Sequence, residues 1–256
     1  MGTPALEVVG LRKAYARDGQ TLEVLDLAHL SVADGEFVTV VGPSGCGKST
    51  LLHILGGFIP ANTGEIRVHG REVVGPGPDR GMVFQEFSLF PWRTVDGNVG
   101  WGLEVRGAPA SERAAVVDHY LELTGLSKFR NHLPSELSGG MKQRVALARV
   151  LAFDPEVLLM DEPFGSLDAQ TRETMQEELT RIWERTRKTI FFVTHDIDEA
   201  VYLGDRVVVL SARPARLREE VSVELPRPRG IVVRKSIAFL ECRNHIWDLI
   251  REENTS

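Results

Sequence analysis

Residues 36–52 read EFVTVVGPSGCGKSTLL. A short apolar β run, Phe37 to Val41, ends in Gly42, and the spacing Gly42-x-x-x-x-Gly47-Lys48-Ser49 then opens onto a leucine-rich segment of helical character. A strand before the octet and a helix after it mark a phosphate-binding loop. Gly42, Gly45 and Gly47 let successive backbone N–H groups turn inward, which residues with a Cβ would resist at positive φ. The concavity sits at a helix N-terminus, where unpaired N–H groups and the helix dipole favour anions. Lys48 is expected to supply a point charge for the β and γ phosphates, and the Ser49 hydroxyl to ligand a magnesium ion.

Working outward, 256 residues with 43% hydrophobic and 26% charged side chains are enough for one large domain or two modest lobes. A net charge of −6 and a pI near 5.7 argue against a general nucleic-acid binder, which needs a basic face. The two cysteines, Cys46 and Cys242, lie far apart and predict neither a disulfide framework nor a zinc site. No apolar run reaches the roughly eighteen residues of a membrane span, and the beginning MGTPALEVVG lacks the basic and apolar regions of a signal peptide. Membrane association is therefore expected through a partner.

Upstream of the loop, alternating runs such as Leu6 to Val9 and Leu22 to Leu30 predict antiparallel strands. Among them Tyr15 is either a strand residue half covered by a loop or a platform on which adenine stacks. Residues 65–70 (EIRVHG) read as an edge strand, and GMVFQ, Gly81 to Gln85, as a short buried strand ending in a polar amide. Gln85 can reach magnesium or an attacking water, or serve as an ordinary strand-end amide. In the following EFSLFPWRTV, Phe87, Leu89, Phe90 and Trp92 either pack beneath their own helices or form a docking surface.

Ser111 to Gly125 predicts a helix stopped by Gly125. LSGGMKQR, residues 137–144, heads a second helix running to about Ala152, with Ser138, Gly139 and Gly140 offering a hydroxyl and exposed N–H groups at its N-terminus. It is either a plain serine cap with flexible glycines or a second phosphate-type site, which in a chain that already has one suits a phosphate held by another subunit. VLLMDE, residues 157–162, is an apolar parallel-sheet strand with two carboxylates at its carboxyl end, where α/β sheets place their ligands. Asp161 is expected to hold magnesium, and Glu162 to orient and deprotonate the attacking water. Gly165 to Asp168 turns into a helix whose Met175, Leu179, Ile182 and Trp183 keep helical spacing, and TIFFVTH is a further buried strand ending in His195. The tail alternates at VSVEL, residues 221–225, and ends in a helix with Ser236 as N-cap and Phe239, Cys242, Ile246, Leu249 and Ile250 as its apolar stripe.

The ordered set GPSGCGKST, Gln85, LSGGMKQR, VLLMDE, GSLD and His195 resembles the ATPase subunit of ATP-binding cassette transporters. The resemblance implies an α/β fold: a RecA-like P-loop NTPase core, an antiparallel β subdomain and an inserted helical subdomain at about residues 88–153. It implies an ATPase domain over residues 1–220 and a C-terminal extension with a short helix over 221–256. ATP and Mg2+ are the implied cofactors. Tyr15, Gly42, Pro43, Ser44, Gly45, Cys46, Gly47, Lys48, Ser49 and Thr50 would bind the nucleotide, and Ser49, Gln85 and Asp161 the metal. Lys48, Gln85, Glu162 and His195 would form the catalytic set. Two copies would pack head to tail, so that Ser138, Gly139 and Gly140 of one complete the site of the other, with Asp168 communicating across the dimer. The implied partners are integral-membrane permease subunits docking between Gln85 and Val99, a second ATPase subunit and, indirectly, a periplasmic-type solute-binding protein, with no nucleic acid. The implied location is peripheral, on the cytoplasmic face of the inner (plasma) membrane.

FQEFSLFPWRTVDGNV, LSGGMKQRVALARVLAFDP and SARPARL further resemble the importer branch handling nitrate, aliphatic sulfonates and taurine. The alternative is a soluble cassette ATPase acting on nucleic acid or ribosomes; such proteins carry long coiled-coil inserts or two cassettes in one chain, and neither is found here.

Overall fold

The computed structural model describes residues 3–17 and 20–253. Two long strands open the chain, β1 (Leu6–Arg17) and β2 (Gln20–Val32), paired antiparallel with a register shift between Lys13 and Ala14. The wholly buried β3 (Phe37–Val41) runs through the phosphate loop into α1 (Lys48–Leu55). Next come β4 (Thr63–Val68), the two-residue β5 (Arg71–Glu72) and β6 (Arg80–Val83). Four helices follow without a strand: α2 (Val95–Val99), α3 (Trp101–Val105), α4 (Ala110–Leu123) and α5 (Gly139–Ala152). Strands and helices then alternate through β7 (Val157–Asp161), α6 (Ala169–Thr186), β8 (Thr189–Val193), α7 (Ile197–Leu203) and β9 (Arg206–Leu210). The chain closes with β10 (Leu217–Ser222) and α8 (Ile237–Glu253).

These strands form two sheets. One is four-stranded and antiparallel in the order β2-β1-β4-β5; the other is six-stranded in the order β10-β9-β3-β8-β7-β6. Within the larger sheet β9, β3, β8, β7 and β6 are parallel, and β10 joins β9 antiparallel at the edge. This is the expected α/β architecture: a largely parallel P-loop core, an antiparallel β subdomain and a helical insertion between β6 and β7. Parallel strands buried on both faces need no polar alternation, which is why β3 and β8 read as apolar runs with a single buried threonine each, Thr39 and Thr189. Because β3 lies inside the sheet, its phosphate loop emerges beside the carboxyl ends of β8 and β7, where such sheets place their ligands.

Apolar side chains divide among three cores. Leu147, Leu151, Met175, Leu179, Trp183 and Phe239 cover one face of the parallel sheet, and Leu27, Leu30, Leu51 and Leu55 fill the space between the two sheets and α1. Val95, Val99, Val117, Leu121 and Val145 form a smaller core within the helical insertion. Helix α8 caps as expected, the Phe239 N–H donating to Ser236 Oγ at 3.2 Å, with Phe239 and Ile246 fully buried.

Two segments differ from expectation. Of residues 65–70, expected at a sheet edge, 65–68 belong to β4, which is flanked by β1 and β5, and 69–70 form the turn that follows it. Only the first two residues of the alternating stretch 221–225 lie in a strand, since β10 starts at Leu217 and ends at Ser222. Charge pairs accompany its register, Arg206 Nη1 lying 2.7 Å from Glu220 Oε2 and Arg218 pairing with Glu252 and Glu253 of α8. Val223 and Leu225 then leave the sheet and bury themselves in the main core.

Candidate active site

A cavity of about 580 Å³ opens at the carboxyl end of the parallel sheet, lined by Tyr15, Leu22, Val24, Ser44, Gly45, Gly47, Lys48, Ser49, Thr50, Glu162, His195 and Arg213. Local backbone chemistry shapes its floor. Gly47 takes φ +128°, and a Cβ there would lie 2.9 Å from Val24 Cγ1, so both conformation and the approach of β2 require glycine. The Lys48 side chain, 7% exposed, donates to the carbonyls of Gly42 at 2.9 Å and Pro43 at 3.1 Å. The ammonium is thus held against the loop it serves. Gly42, Pro43 and Cys46 support the loop from behind: the Cys46 N–H donates to Pro43 O at 3.2 Å, and the thiol is buried in the inter-sheet core, which pushes its pKa up.

Asp161 ends β7, and its Oδ1 accepts a hydrogen bond from Ser49 Oγ at 3.0 Å. Burial raises the pKa of this carboxyl, and the Ser49 hydrogen bond acts against that rise. A hydroxyl and a carboxylate, both hard oxygen donors, suit a magnesium ion that keeps several waters. One residue on, Glu162 has φ +41°, a left-handed conformation that costs a non-glycine residue about 1–3 kcal/mol. Its N–H donates to Val193 O at 2.9 Å, and its Oε2 lies 2.8 Å from His195 Nδ1. The unusual backbone turns the carboxylate out of the strand line toward the histidine that follows β8.

At the other end of the cavity Tyr15 is 39% exposed, and the Lys13 ammonium stands 4.9 Å from its ring centroid while donating to Pro60 O. An aromatic surface backed by a cation suits a purine.

Several expected site residues lie elsewhere. Gln85 is exposed beyond the end of β6, beside the loop that follows Glu162: a Cβ at Gly165 would come within 3.3 Å of Gln85 Nε2. Ser138, Gly139, Gly140 and Asp168 form a separate group. Ser138 caps α5, accepting from the Met141 N–H at 3.3 Å, and Asp168 caps α6, accepting from the Thr171 N–H at 3.0 Å. The two helix starts touch: a Cβ on Gly140 would lie 2.8 Å from Thr171 Cγ2, and one on Gly139 3.2 Å from Leu167 Cδ2. None of these four residues lines the cavity. Sequence reasoning had no role for Leu22, Val24 or Arg213. The stretch SARPARL, noticed only as a branch marker, contains the last of them.

The FPWRT segment is folded by one buried side chain. Asn98 Nδ2 donates to the carbonyls of Phe90, Arg93 and Thr94 at 3.0–3.1 Å, and its Oδ1 accepts from the Phe90 N–H at 2.8 Å. Phe87 and Leu89 pack into cores, whereas Trp92 is 75% exposed and meets Phe90 in a tilted ring contact, and Phe90 also meets Trp101. An apolar groove of about 620 Å³, lined among others by Met82, Phe84, Phe90, Trp101, Val105 and Phe153, runs beside it.

A phosphate loop at the end of a central parallel strand, with adjacent carboxylates and an inserted helical subdomain, defines a P-loop ATPase cassette. The chain belongs to the ABC transporter family, whose model matches residues 25–165. It is 52% identical, over 97% of its length and 92% of the relative's, to an uncharacterized ABC transporter ATP-binding protein of Methanocaldococcus jannaschii. It is 44% identical to the nitrate import ATP-binding protein NrtD of a Synechocystis species, over 98% of this chain and 96% of that one. With the taurine import ATP-binding protein TauB of a Jannaschia species it shares 45% identity, over 92% and 91% of the two chains. Among solved structures it resembles a dimeric ATP-binding cassette, MJ0796, in a post-hydrolysis state bound to ADP and Pi, with TM-score 0.74 and 33% identity over 86% of this chain and all of that one. Among the described residues no helix is long and apolar enough to cross a membrane.

Proposed function

We propose that this chain is the ATP-hydrolysing subunit that powers an importer of nitrate, aliphatic sulfonate, taurine or a similar small solute. The observation that carries the mechanism is the division of the site: the phosphate loop, Glu162 and His195 meet at one cavity, while Ser138–Gly140 and Asp168 gather on a different surface of the same chain. Two such chains placed head to tail would supply each other's missing half. The nitrate and taurine import proteins among its relatives support the choice of solute class, and the dimeric cassette supports the assembly.

In this reading Tyr15 stacks the adenine and the phosphate loop receives the triphosphate. Lys48 exchanges the carbonyls of Gly42 and Pro43 for phosphate oxygens. Ser49, Asp161 and Gln85 would hold a magnesium ion, which when bound neutralises charge on the phosphates. Glu162 orients and deprotonates the attacking water, and His195, 2.8 Å from its carboxylate, fixes that orientation. Positioning and charge placement do most of the work in phosphoryl transfer. Closure and reopening of the dimer then move a permease helix seated in the groove beside Trp92 and Phe90. The assembly would lie peripherally on the cytoplasmic face of the membrane, with a periplasmic-type binding protein delivering solute from the far side.

The test is reconstitution in proteoliposomes with the permease and binding protein of a nitrate, sulfonate or taurine importer. ATP turnover stimulated by one of these solutes, and abolished with ATP-bound dimer accumulating in Glu162→Gln, supports the proposal. Turnover by a monomer that no solute or permease alters refutes it.

A further inference from the structure

We propose that Arg213 is a nucleotide-binding residue, a second cation that pairs with the phosphates of the nucleotide alongside Lys48. The inference rests on reading the cavity as an ATP site. Arg213 lines that cavity together with Ser44, Gly45 and Lys48, and its Nη2 donates to the carbonyl of Gly45 within the phosphate loop.

Arg213 is exposed, but the backbone that carries it is not a free surface loop. Ala215 is fully buried and pairs with β2 on both sides, its N–H donating to Val24 O at 2.8 Å and its carbonyl accepting from the Asp26 N–H at 3.0 Å. Ser211 Oγ accepts from the Arg216 N–H at 3.0 Å, closing the turn. The Ala212 N–H donates to Glu253 Oε2 at 2.9 Å, tying the turn to the last residue of α8. The guanidinium is therefore delivered from a fixed base.

The charge balance of the cavity points the same way. Glu162 lines the cavity and Asp161 adjoins it, against the single lysine of the phosphate loop. A triphosphate entering there needs further positive charge. Arginine presents five N–H donors in a planar fork that matches phosphate oxygens, and Gly45 engages one nitrogen of Arg213. Among the described residues no carboxylate pairs with this guanidinium, so the rest of the fork is available. Its position beside Gly45 places it at the phosphate end of the cavity rather than against the ring of Tyr15.

The experiment measures displacement of a fluorescent ATP analogue from the full chain by ATP and by inorganic tripolyphosphate, for the wild type, Arg213→Ala, Arg213→Gln, Arg213→Lys and Lys48→Ala. Arg213→Gln keeps a donor for the Gly45 carbonyl while removing the charge, so it remains readable if Arg213→Ala melts early. The proposal expects Arg213→Ala and Arg213→Gln to weaken ATP and tripolyphosphate alike by about three- to tenfold, with Arg213→Lys between them and the wild type. Wild-type affinity in Arg213→Gln would reduce the residue to a brace for the loop and overturn the proposal. Affinity within twofold of wild type in Arg213→Ala, while Lys48→Ala loses more than tenfold, would also overturn it and leave the ATP site standing. No loss in Lys48→Ala would remove the ATP site and this inference together.

Discussion

His195 Nδ1 lies 2.8 Å from Glu162 Oε2, across the carboxyl ends of two neighbouring strands of the parallel sheet. The pair brings a side chain from beyond β8 to a carboxylate that could not face it from a regular strand. Glu162 meets it with its backbone at φ +41°.

Two consequences follow from that backbone. Losing a general base slows chemistry by about 10²- to 10⁴-fold, roughly 3–5 kcal/mol of barrier, so Glu162→Gln is expected to bind ATP with near wild-type affinity and hydrolyse it that much more slowly. Glycine accepts positive φ and alanine does not. Glu162→Gly is therefore expected to be more stable than Glu162→Ala by about 1 kcal/mol. Single-turnover hydrolysis and urea unfolding check the two halves. Equal stability of the glycine and alanine variants would show that the left-handed backbone stores no strain.

At the opposite end of the cavity, Tyr15→Ala should weaken ATP binding by roughly 5- to 150-fold, since stacking a base on an aromatic ring contributes about 1–3 kcal/mol. Tyr15→Phe should bind like the wild type, because the ring and not the hydroxyl does the stacking. Calorimetric titration separates these outcomes; equal losses in both variants would mean that the hydroxyl carries the contact.

Much of this site was legible because its parts are contiguous. The octet 42–49 declares its own strand, turn and helix, Ser138 and Asp168 announce helix starts, and Asp161 and Glu162 directly follow an apolar strand. Arg213 was not legible, because its contact with Gly45 joins residues 168 apart in the chain. Nor was the left-handed turn at Glu162, since glutamate carries no local signal for positive φ. Strand β10, Leu217–Ser222, was not legible for a related reason: the alternation at 221–225 locates apolar side chains, but Val223 and Leu225 fill the core after leaving the sheet.

Another feature hidden in the sequence is the burial of Glu199, which accepts from Gln176 Nε2 at 2.7 Å and from the Thr194 hydroxyl, next to His195. Arg234, from the segment before α8, donates to Gln176 Oε1, so the amide cannot reverse without losing that partner. Desolvation pushes the Glu199 pKa up from 4.5, and Asp196 adds to the rise, while the hydrogen bonds from Thr194 and Gln176 and the charge of Arg172 oppose it. A carboxyl whose pKa is higher folded than unfolded stabilises the fold fully below the unfolded value and loses that contribution as pH rises through the folded one. Wild-type stability relative to Glu199→Gln should accordingly fall as pH is raised from 4 toward neutrality. Urea unfolding of both proteins at several pH values measures this difference. A gap that is flat, or that moves in wild type's favour as pH rises, would contradict the assigned direction.

The loop proposed to meet the permease depends on Asn98, which is fully buried and bonds both edges of its amide to the backbone of Phe90, Arg93 and Thr94. Alanine there leaves the part-buried Phe90 N–H and Arg93 carbonyl without this partner, at a loss of about 1–3 kcal/mol, while Phe90 O keeps the Arg93 N–H and Thr94 O keeps the Asn98 N–H. Aspartate still accepts from the Phe90 N–H, but it turns a second carboxylate oxygen toward three carbonyls and should destabilise the chain more than alanine does. The phosphate loop and Glu162 lie on other elements, so Asn98→Ala is expected to keep nucleotide affinity. It should nevertheless fail to couple, because Phe90 and Trp92 lose their fixed geometry beside the apolar groove. Nucleotide titration of the isolated chain, set beside permease co-purification and solute-stimulated ATP turnover in the assembled system, distinguishes the two effects. Full stimulation in Asn98→Ala would show that the permease does not read this loop.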